Sequence, residues 1–321
     1  MLDVRRLATL REVIRRGSFS AAGEALALTQ PAVSRQISLL ERQLGTPLVT
    51  RTRQGVHATE AGRVLVDHAD ALLARLDLAE QEVAELAGRR RGRVRVGLFY
   101  TAAAHLGPEL RARAELAYPD ILVDGQLADR RDAFAGLTSG ALEMAIVFEH
   151  AFEPSPAPPE VEIIPLFEEP LRVILPPAHR LAKRKTIRIG ELAHDTWIQA
   201  HDGSAARLVD HILRTSGVAP AIVRAGRGDE PVDSQGLVAA GMGITVAHSL
   251  GVWMSRSDVV VRRLTEGPVR YVQAARLRDH RAPATLALLE LLRELTREHG
   301  QRYEAELATR KSRAQRSSAT T

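Results

Sequence analysis

Along the first 44 residues, apolar positions recur at helical spacing, broken by charges and turn-forming residues. Leu2, Leu7, Leu10 and Ile14, with arginines between them, predict a helix over 2–16 that Gly17 ends. Ser18 or Ser20 can cap a second, short helix carrying Ala22, Ala25 and Leu26. Thr29 reads as the next N-cap, with Pro31 in the first turn, where its missing N–H costs nothing. Val33, Ile37, Leu40 and Leu44 then form one apolar stripe, closed by Gly45. Two helices joined by a tight turn, the second strongly amphipathic, predict a helix-turn-helix. Leu48–Thr52 and Val56–Thr59 flank Gln54-Gly55 as a hairpin, and Thr59 caps a long helix with Glu60 near its positive end.

That helix carries the most regular pattern in the chain. Leu65, Ala69, Leu72, Leu76, Ala79, Val83 and Leu86 are spaced 4, 3, 4, 3, 4, 3, a heptad seam. A helix of about 28 residues is roughly 40 Å long. A narrow seam with charges elsewhere suits a partner helix, so Leu65, Leu72, Leu76, Val83 and Leu86 are assigned to dimerisation; packing on the chain's own core is the other reading. The basic run Gly88–Arg93 reads as a solvated hinge.

Beyond it, strand and helix patterns alternate. Strands are predicted at Arg93–Leu98, Ile121–Leu127, Met144–Phe148, Ile163–Leu175, Trp197–Ala200, Ile222–Ala225, Ile244–Ala247 and Val269–Leu277. Helices are predicted at 101–117, 130–140, near 190–193, 204–216, 233–240 and 285–298. The alternation argues for parallel sheets with helices on both faces. Connectors near 149–162 and 264–268 divide this region into two lobes with a cleft between them. The expected organisation is therefore 1–59 as a winged helix-turn-helix and 60–88 as the linker and dimerisation helix. Residues 89–300 follow as a two-lobed domain, with lobe I at about 93–150 and 268–300 and lobe II at about 163–265. The polar tail, 301–321, is expected to be disordered at its end.

Composition narrows the function classes. Apolar residues make up 45% of the 321, enough for a core in each unit. The chain has no cysteine, which excludes thiolate nucleophiles, disulfides and iron–sulfur ligation. No apolar run reaches the ~18–20 residues of a membrane span, and arginines break the N-terminal apolar positions, so a cytoplasmic protein off the membrane is expected. Residues 1–65 hold ten arginines and five carboxylates, while the remaining 34 basic and 34 acidic residues balance. The whole net charge of +5 thus sits in the first fifth of the chain, the footprint of phosphate neutralisation by a small domain.

The segment SFSAAGEALALTQPAVSRQISLLERQLGTPLVTRTRQGVHATEAG, residues 18–62, closely resembles the signature of LysR-type transcriptional regulators, matching many specified positions at fixed spacing. Val49 stands where Phe is usual, Ala58 where Leu is usual, and Gly23 lies within the second helix. Farther on, HLGPELRARAELAYPDILV and LTSGALEMAIVF resemble the family's effector domain, with Glu143 for the usual Asp. PPAHRLAKRKTI, with Arg180 for Pro, and VAAGMGITV continue it, and His248 stands where Pro is common. The likeness spans residues 1 to about 295. It implies an N-terminal all-α winged helix-turn-helix with a long linker helix, followed by an α/β, two-lobed, periplasmic-binding-protein-like effector domain.

On a helical wheel, Pro31, Ser34, Arg35, Ser38 and Arg42 face away from the apolar stripe, and a helix of this size fits the major groove. The family's pattern makes Gln30, Pro31, Ser34 and Arg35 the base-contact candidates. Ser20, Ser38, Arg51 and Arg53 join them, the two hairpin arginines reaching a backbone or a minor groove. The partner implied is double-stranded DNA at a partly palindromic promoter site. The resemblance further implies homodimers that assemble into homotetramers, and leaves RNA polymerase open as a partner.

The family's effector domain holds a small molecule between its lobes, and helix N-termini there suit carboxylates. Thr101, Gln126, Phe148, Gln199, His201, Ser204 and Thr245 are the candidate contacts by position. For Thr101 and Ser204, N-capping is an equal reading. The implied function is DNA-binding regulation whose promoter occupancy or geometry responds to an organic acid or similar metabolite. A ligand-independent or architectural DNA-binding protein is the alternative. No Walker loop, GxGxxG after a strand, GxSxG or HExxH occurs, and the histidines lack metal-ligand spacing. No enzymatic activity, cofactor or metal is expected.

Overall fold

A computed structural model describes residues 1–52, 55–86, 92–226, 232–253 and 255–298. The chain divides into two compact units, Met1–Arg91 with Ala135–Glu143, and Gly92–Phe134 with the residues from Met144 onward.

The first unit begins with α1 (Val4–Arg16), whose N-cap Asp3 accepts the Arg5 N–H at 2.8 Å; Gly17, at φ +62°, ends it. α2 (Phe19–Leu26) is capped by Ser18, whose Oγ accepts the Ala21 N–H, so Ser20 is left inside the helix. α3 (Gln30–Leu44) has Thr29 at its N-cap and proline in its first turn. Gly23 explains how the two helices meet: a Cβ there would lie 2.7 Å from the Leu28 carbonyl oxygen. Strands β1 (Val49–Thr52) and β2 (Gly55–Ala58) pair antiparallel as the wing. α4 (Glu60–Leu86) follows, with the Thr59 hydroxyl accepting the Gly62 N–H at 3.0 Å.

Leu7, Leu10, Val13, Phe19, Val33, Ile37, Leu40 and Leu48 close one core together with Ala69 of α4. Two expectations change here. Leu44, read as part of the stripe, is 42% exposed, because α3 outruns the core at its last turn. Leu65 packs against the chain's own core beside the fully buried Ala69, so the first turns of the seam serve the fold of this unit. The seam beyond them does not: Leu72, Leu76 and Val83 are 51%, 45% and 66% exposed. The side chain of Leu86 lies outside the described residues, as do Arg53 and the hairpin's Gln54.

Among the described residues, the second unit has two large cores and a smaller one around Ile174, Ile198 and Val238. Its first sheet contains β3 (Gly92–Leu98), β4 (Ile121–Leu127), β5 (Met144–His150), β6 (Val161–Glu169) and, late in the chain, β13 (Arg270–Leu277). The order is β4-β3-β5-β13-β6. α5 (Tyr100–Ala117) and a final helix over 283–298, α10, bury Leu106, Leu110, Leu288 and Leu292 in its core. α6 (Arg130–Ser139) lies between β4 and β5 in the chain.

The second sheet has the order β11-β7-β12-β8, from β7 (Leu171–Leu175), β8 (Thr186–Ile187), β11 (Thr245–His248) and β12 (Val260–Leu264). A 3-10 turn (Ile189–Leu192) precedes β9 (Trp197–Gln199), which pairs in parallel with β10 (Ile222–Arg224). α7 (Gly203–Ser216), α8 (Val232–Ala239) and α9 (Ser249–Trp253) complete this lobe, and Trp197 is fully buried in its core.

The sheets are mixed, not parallel as expected: β13 runs antiparallel to β5 and β6, and β7 antiparallel to β11 and β12. The reason is the double crossover, which returns the chain to the first sheet in the opposite sense. The expected strand Ile163–Leu175 is two strands in two sheets, parted at Pro170. A proline lacks the N–H a continuing ladder needs. Lobe I therefore takes in Val161–Glu169, and the first crossover is at Pro170, not 149–162.

Candidate functional site

In α3 the core-facing residues Val33, Ile37 and Leu40 are fully buried, while Gln30, Pro31, Arg35 and Ser38 are exposed and Ser34 is half-buried. A helix anchored by one face presents the other. Arg35 takes no partner among the described residues, whereas Arg42 bends back to the Ser38 carbonyl at 3.4 Å. Arg51, from the wing, donates to the Ser34 Oγ at 3.3 Å and lies 4.3 Å over the Phe19 ring. It thereby ties β1 to both helices and holds its charge beside α3. Ser20 is exposed on α2.

A cluster that periodicity does not reveal stiffens the end of α1. Glu12 accepts from Arg15 at 2.6 Å and from Arg16, and these bonds lower its carboxyl from the usual 4.5 to about 2, against the opposing effect of burial.

In the second unit, two cavities meet at His150 and Ser204. The smaller, about 80 Å³, brings together Thr101, Gln199, Ser204 and Thr245 with His150, His248 and Arg270. The larger, about 520 Å³, is lined by Phe148 and Ser204 along with Phe99, Arg130, Arg131 and Arg207. Five of the seven expected contacts therefore converge. Gln126 instead borders a separate groove with Gly107 and Arg111. His201 lines neither cavity, and its backbone N–H donates to the Gly226 carbonyl.

Capping falls at Phe99 and Asp202, so neither Thr101 nor Ser204 holds an N-cap position. Thr101 Oγ1 instead accepts from Arg270 Nη2 at 3.2 Å. The Gln199 amide donates to the Ala206 carbonyl at 2.8 Å and to Asp210 at 2.6 Å, and the Thr245 hydroxyl donates to the Ile198 carbonyl at 3.0 Å. Both donors serve the scaffold of the lobe.

The charges of this site come from residues the sequence reading passed over. Glu169 is wholly buried; its Oε2 lies 2.6 Å from Arg270 Nε and its Oε1 accepts the Leu250 N–H at 2.6 Å. The Arg270 guanidinium lies about 5 Å from the centroids of Phe99 and Phe148. Burial lowers the His150 imidazole to about 3, with Arg270 adding to the effect. Burial pushes His248 well below its usual value, and again Arg270 adds to it. Both rings are neutral near pH 7. Rings continue outward from His150, which stacks on Phe152 at 4.9 Å, and Phe152 stacks on His211 at 4.1 Å.

Comparison with known proteins agrees with this division. Residues 4–63 match the model of the bacterial regulatory helix-turn-helix protein of the lysR family, and residues 87–297 that of the LysR substrate binding domain. The small neutral protease regulatory protein of Streptomyces coelicolor is 33% identical over 283 residues, covering 86% of this chain and 83% of its own. A probable RuBisCO transcriptional regulator of Emiliania huxleyi is 31% identical over 217 residues, 66% of this chain and 67% of its own. Full-length CbnR, solved with its target DNA, shares the fold at a TM-score of 0.68 and 20% identity, covering 91% of this chain and 99% of that one.

Proposed function

This chain belongs to the LysR family of DNA-binding transcriptional regulators, and on that premise we propose that α3 and the wing read a partly palindromic promoter site while a small organic acid, bound between the two lobes, alters promoter occupancy. The observation carrying the first half is the division of α3 into a buried apolar face and an exposed face of Gln30, Pro31, Arg35 and Ser38. Ser34 and Arg51, joined by a hydrogen bond, adjoin that face. The proposed set is completed by Ser20, which is exposed, and by Arg53, which lies outside the described residues. Hydroxyl, amide and guanidinium groups at that spacing suit base edges and phosphates.

One such helix discriminates weakly, and a dimer reading two half-sites multiplies its selectivity. The exposed Leu72, Leu76 and Val83 of α4 are the surface proposed for that dimer, with further assembly into tetramers and contact with RNA polymerase following the family's pattern.

For the effector, Arg130 and Arg207 on the wall of the larger cavity are ion-paired to Glu149 and Glu153, and Asp129 and Asp132 share that wall. The carboxylate reading therefore rests on Arg131 and the N-terminal turn of α7. Only a ligand that binds one lobe arrangement better than another shifts DNA occupancy. Footprinting of the full-length protein with and without each member of an organic-acid library tests the pairing of site and response. A footprint that changes in extent or position with one acid is expected; one indifferent to every acid favours the ligand-independent reading.

A further inference from the structure

The smaller cavity has a chemistry that a plain carboxylate does not use. His150 and His248 are each 4% exposed, both form part of its wall, and their ring centroids are 5.1 Å apart. Nε2 of each is buried with no hydrogen-bond partner among the described residues. Buried polar atoms left unanswered are uncommon and call for an explanation.

The tautomer of His248 follows from its surroundings. Its ring bonds to the Pro268 carbonyl, which can only accept, and Nε2 is unpartnered, so the donor is Nδ1–H. A neutral imidazole has one N–H, which leaves a lone pair on Nε2. What that atom lacks is a donor.

Charge then selects the donor. Arg270 is paired with Glu169 and also donates to Thr101, so it offers no uncompensated positive charge. A carboxylate at this point would face the His248 lone pair. An ammonium would enter a pocket where Arg270 already opposes positive charge on both rings. A neutral hydroxyl meets neither penalty, and it can accept a hydrogen from His150 as readily as it donates one to His248.

We propose that the smaller cavity takes a hydroxyl group of the effector, donated to His248 Nε2, so that the ligand is a hydroxylated acid with its carboxylate in the larger cavity. The inference rests on the effector reading above. The two cavities share His150 and Ser204, which sets the hydroxyl subsite beside the one proposed for the carboxylate. At about 80 Å³ the smaller one admits a group the size of two or three waters, each ~30 Å³, which suits a single C–OH unit.

The test uses full-length protein and three pairs of acids that differ by one hydroxyl: lactate and propionate, 4-hydroxybutyrate and butyrate, malate and succinate. Calorimetric titration is expected to show the hydroxylated member of at least one pair binding tenfold tighter or more. His248→Phe should abolish that preference, and His248→Gln, which keeps an acceptor, should retain part of it. Equal affinity within every pair, no binding by any of the six, or a preference that survives His248→Phe overturns the inference. If His248→Phe does not fold, ring-nitrogen NMR of the unaltered protein decides: the tighter hydroxy acid must move the His248 Nε2 resonance, and an unmoved resonance overturns the inference. A preference without any change in the DNA footprint leaves the subsite standing and removes the regulatory response; a footprint changed equally by both members of a pair does the reverse.

Discussion

Arg270 and Glu169 stand opposite each other in the register of β13 and β6, joined by a buried ion pair at the two places where the chain passes between the lobes. Glu169 is the last residue of β6 and Arg270 the first of β13, and the same carboxylate holds the Leu250 N–H in the first turn of α9. One side chain therefore ties both crossovers to the second lobe. Thr101, accepting from Arg270, brings the start of α5 into the same network.

Glu169→Gln leaves a buried guanidinium without its counter-ion, and removing one partner of such a pair costs about 3–5 kcal/mol. Urea unfolding of the full chain should show a loss of that order, and Arg270→Met a similar one. The double variant should lose less than the sum, since neither partner then remains buried alone. Losses below ~1 kcal/mol in both single variants would contradict the role given to this pair.

Arg35→Ala should weaken binding to the cognate site by about tenfold, corresponding to ~1–3 kcal/mol for one base contact, with no change in melting temperature. Arg51→Ala differs, because Arg51 also holds Ser34 and covers Phe19; it should lower both affinity and melting temperature. Gel shift and thermal unfolding, run side by side, separate the two.

Leu76→Glu places a charge at an apolar position that is 45% exposed. Its fold should be unaffected, while sedimentation velocity should show a smaller species than the unaltered protein. Leu65→Glu should instead destabilise the first unit, since Leu65 packs against its core. An unchanged sedimentation coefficient for Leu76→Glu would remove the dimer assignment from this seam.

Glu12 adds a pH dependence whose sign is fixed by its lowered carboxyl. A group held at about 2 in the folded chain, against 4.5 ordinarily, stabilises above the ordinary value and loses that contribution as pH falls toward 2. Its arginine partners are 63% and 40% exposed, so solvent screening limits the contribution to about 1 kcal/mol. Glu12→Gln should lower the melting temperature at pH 7 and make no difference near pH 2.

The DNA-facing half was legible because its information is local. The stripe Val33, Ile37, Leu40 repeats at the helical period, and Gly17 and Gly45 mark helix ends by backbone conformation alone. The second unit was legible in its elements but not in its connections. Val260–Leu264 is short and carries two arginines, so no alternation announces it, and Pro170 parts two strands that read as one. Arg270 and Glu169 are 101 residues apart, beyond the reach of any periodicity. Gln126 and His201 were placed by strand position, which does not say which way a side chain turns.

The most direct measurement is selection of DNA sequences by the full-length protein at low salt, followed by footprinting of the winner. The account predicts a protected, partly palindromic site with half-sites about one helical turn or a multiple apart, its protection weakened by Arg35→Ala. A purified, folded protein that enriches no sequence and protects none under those conditions would contradict it.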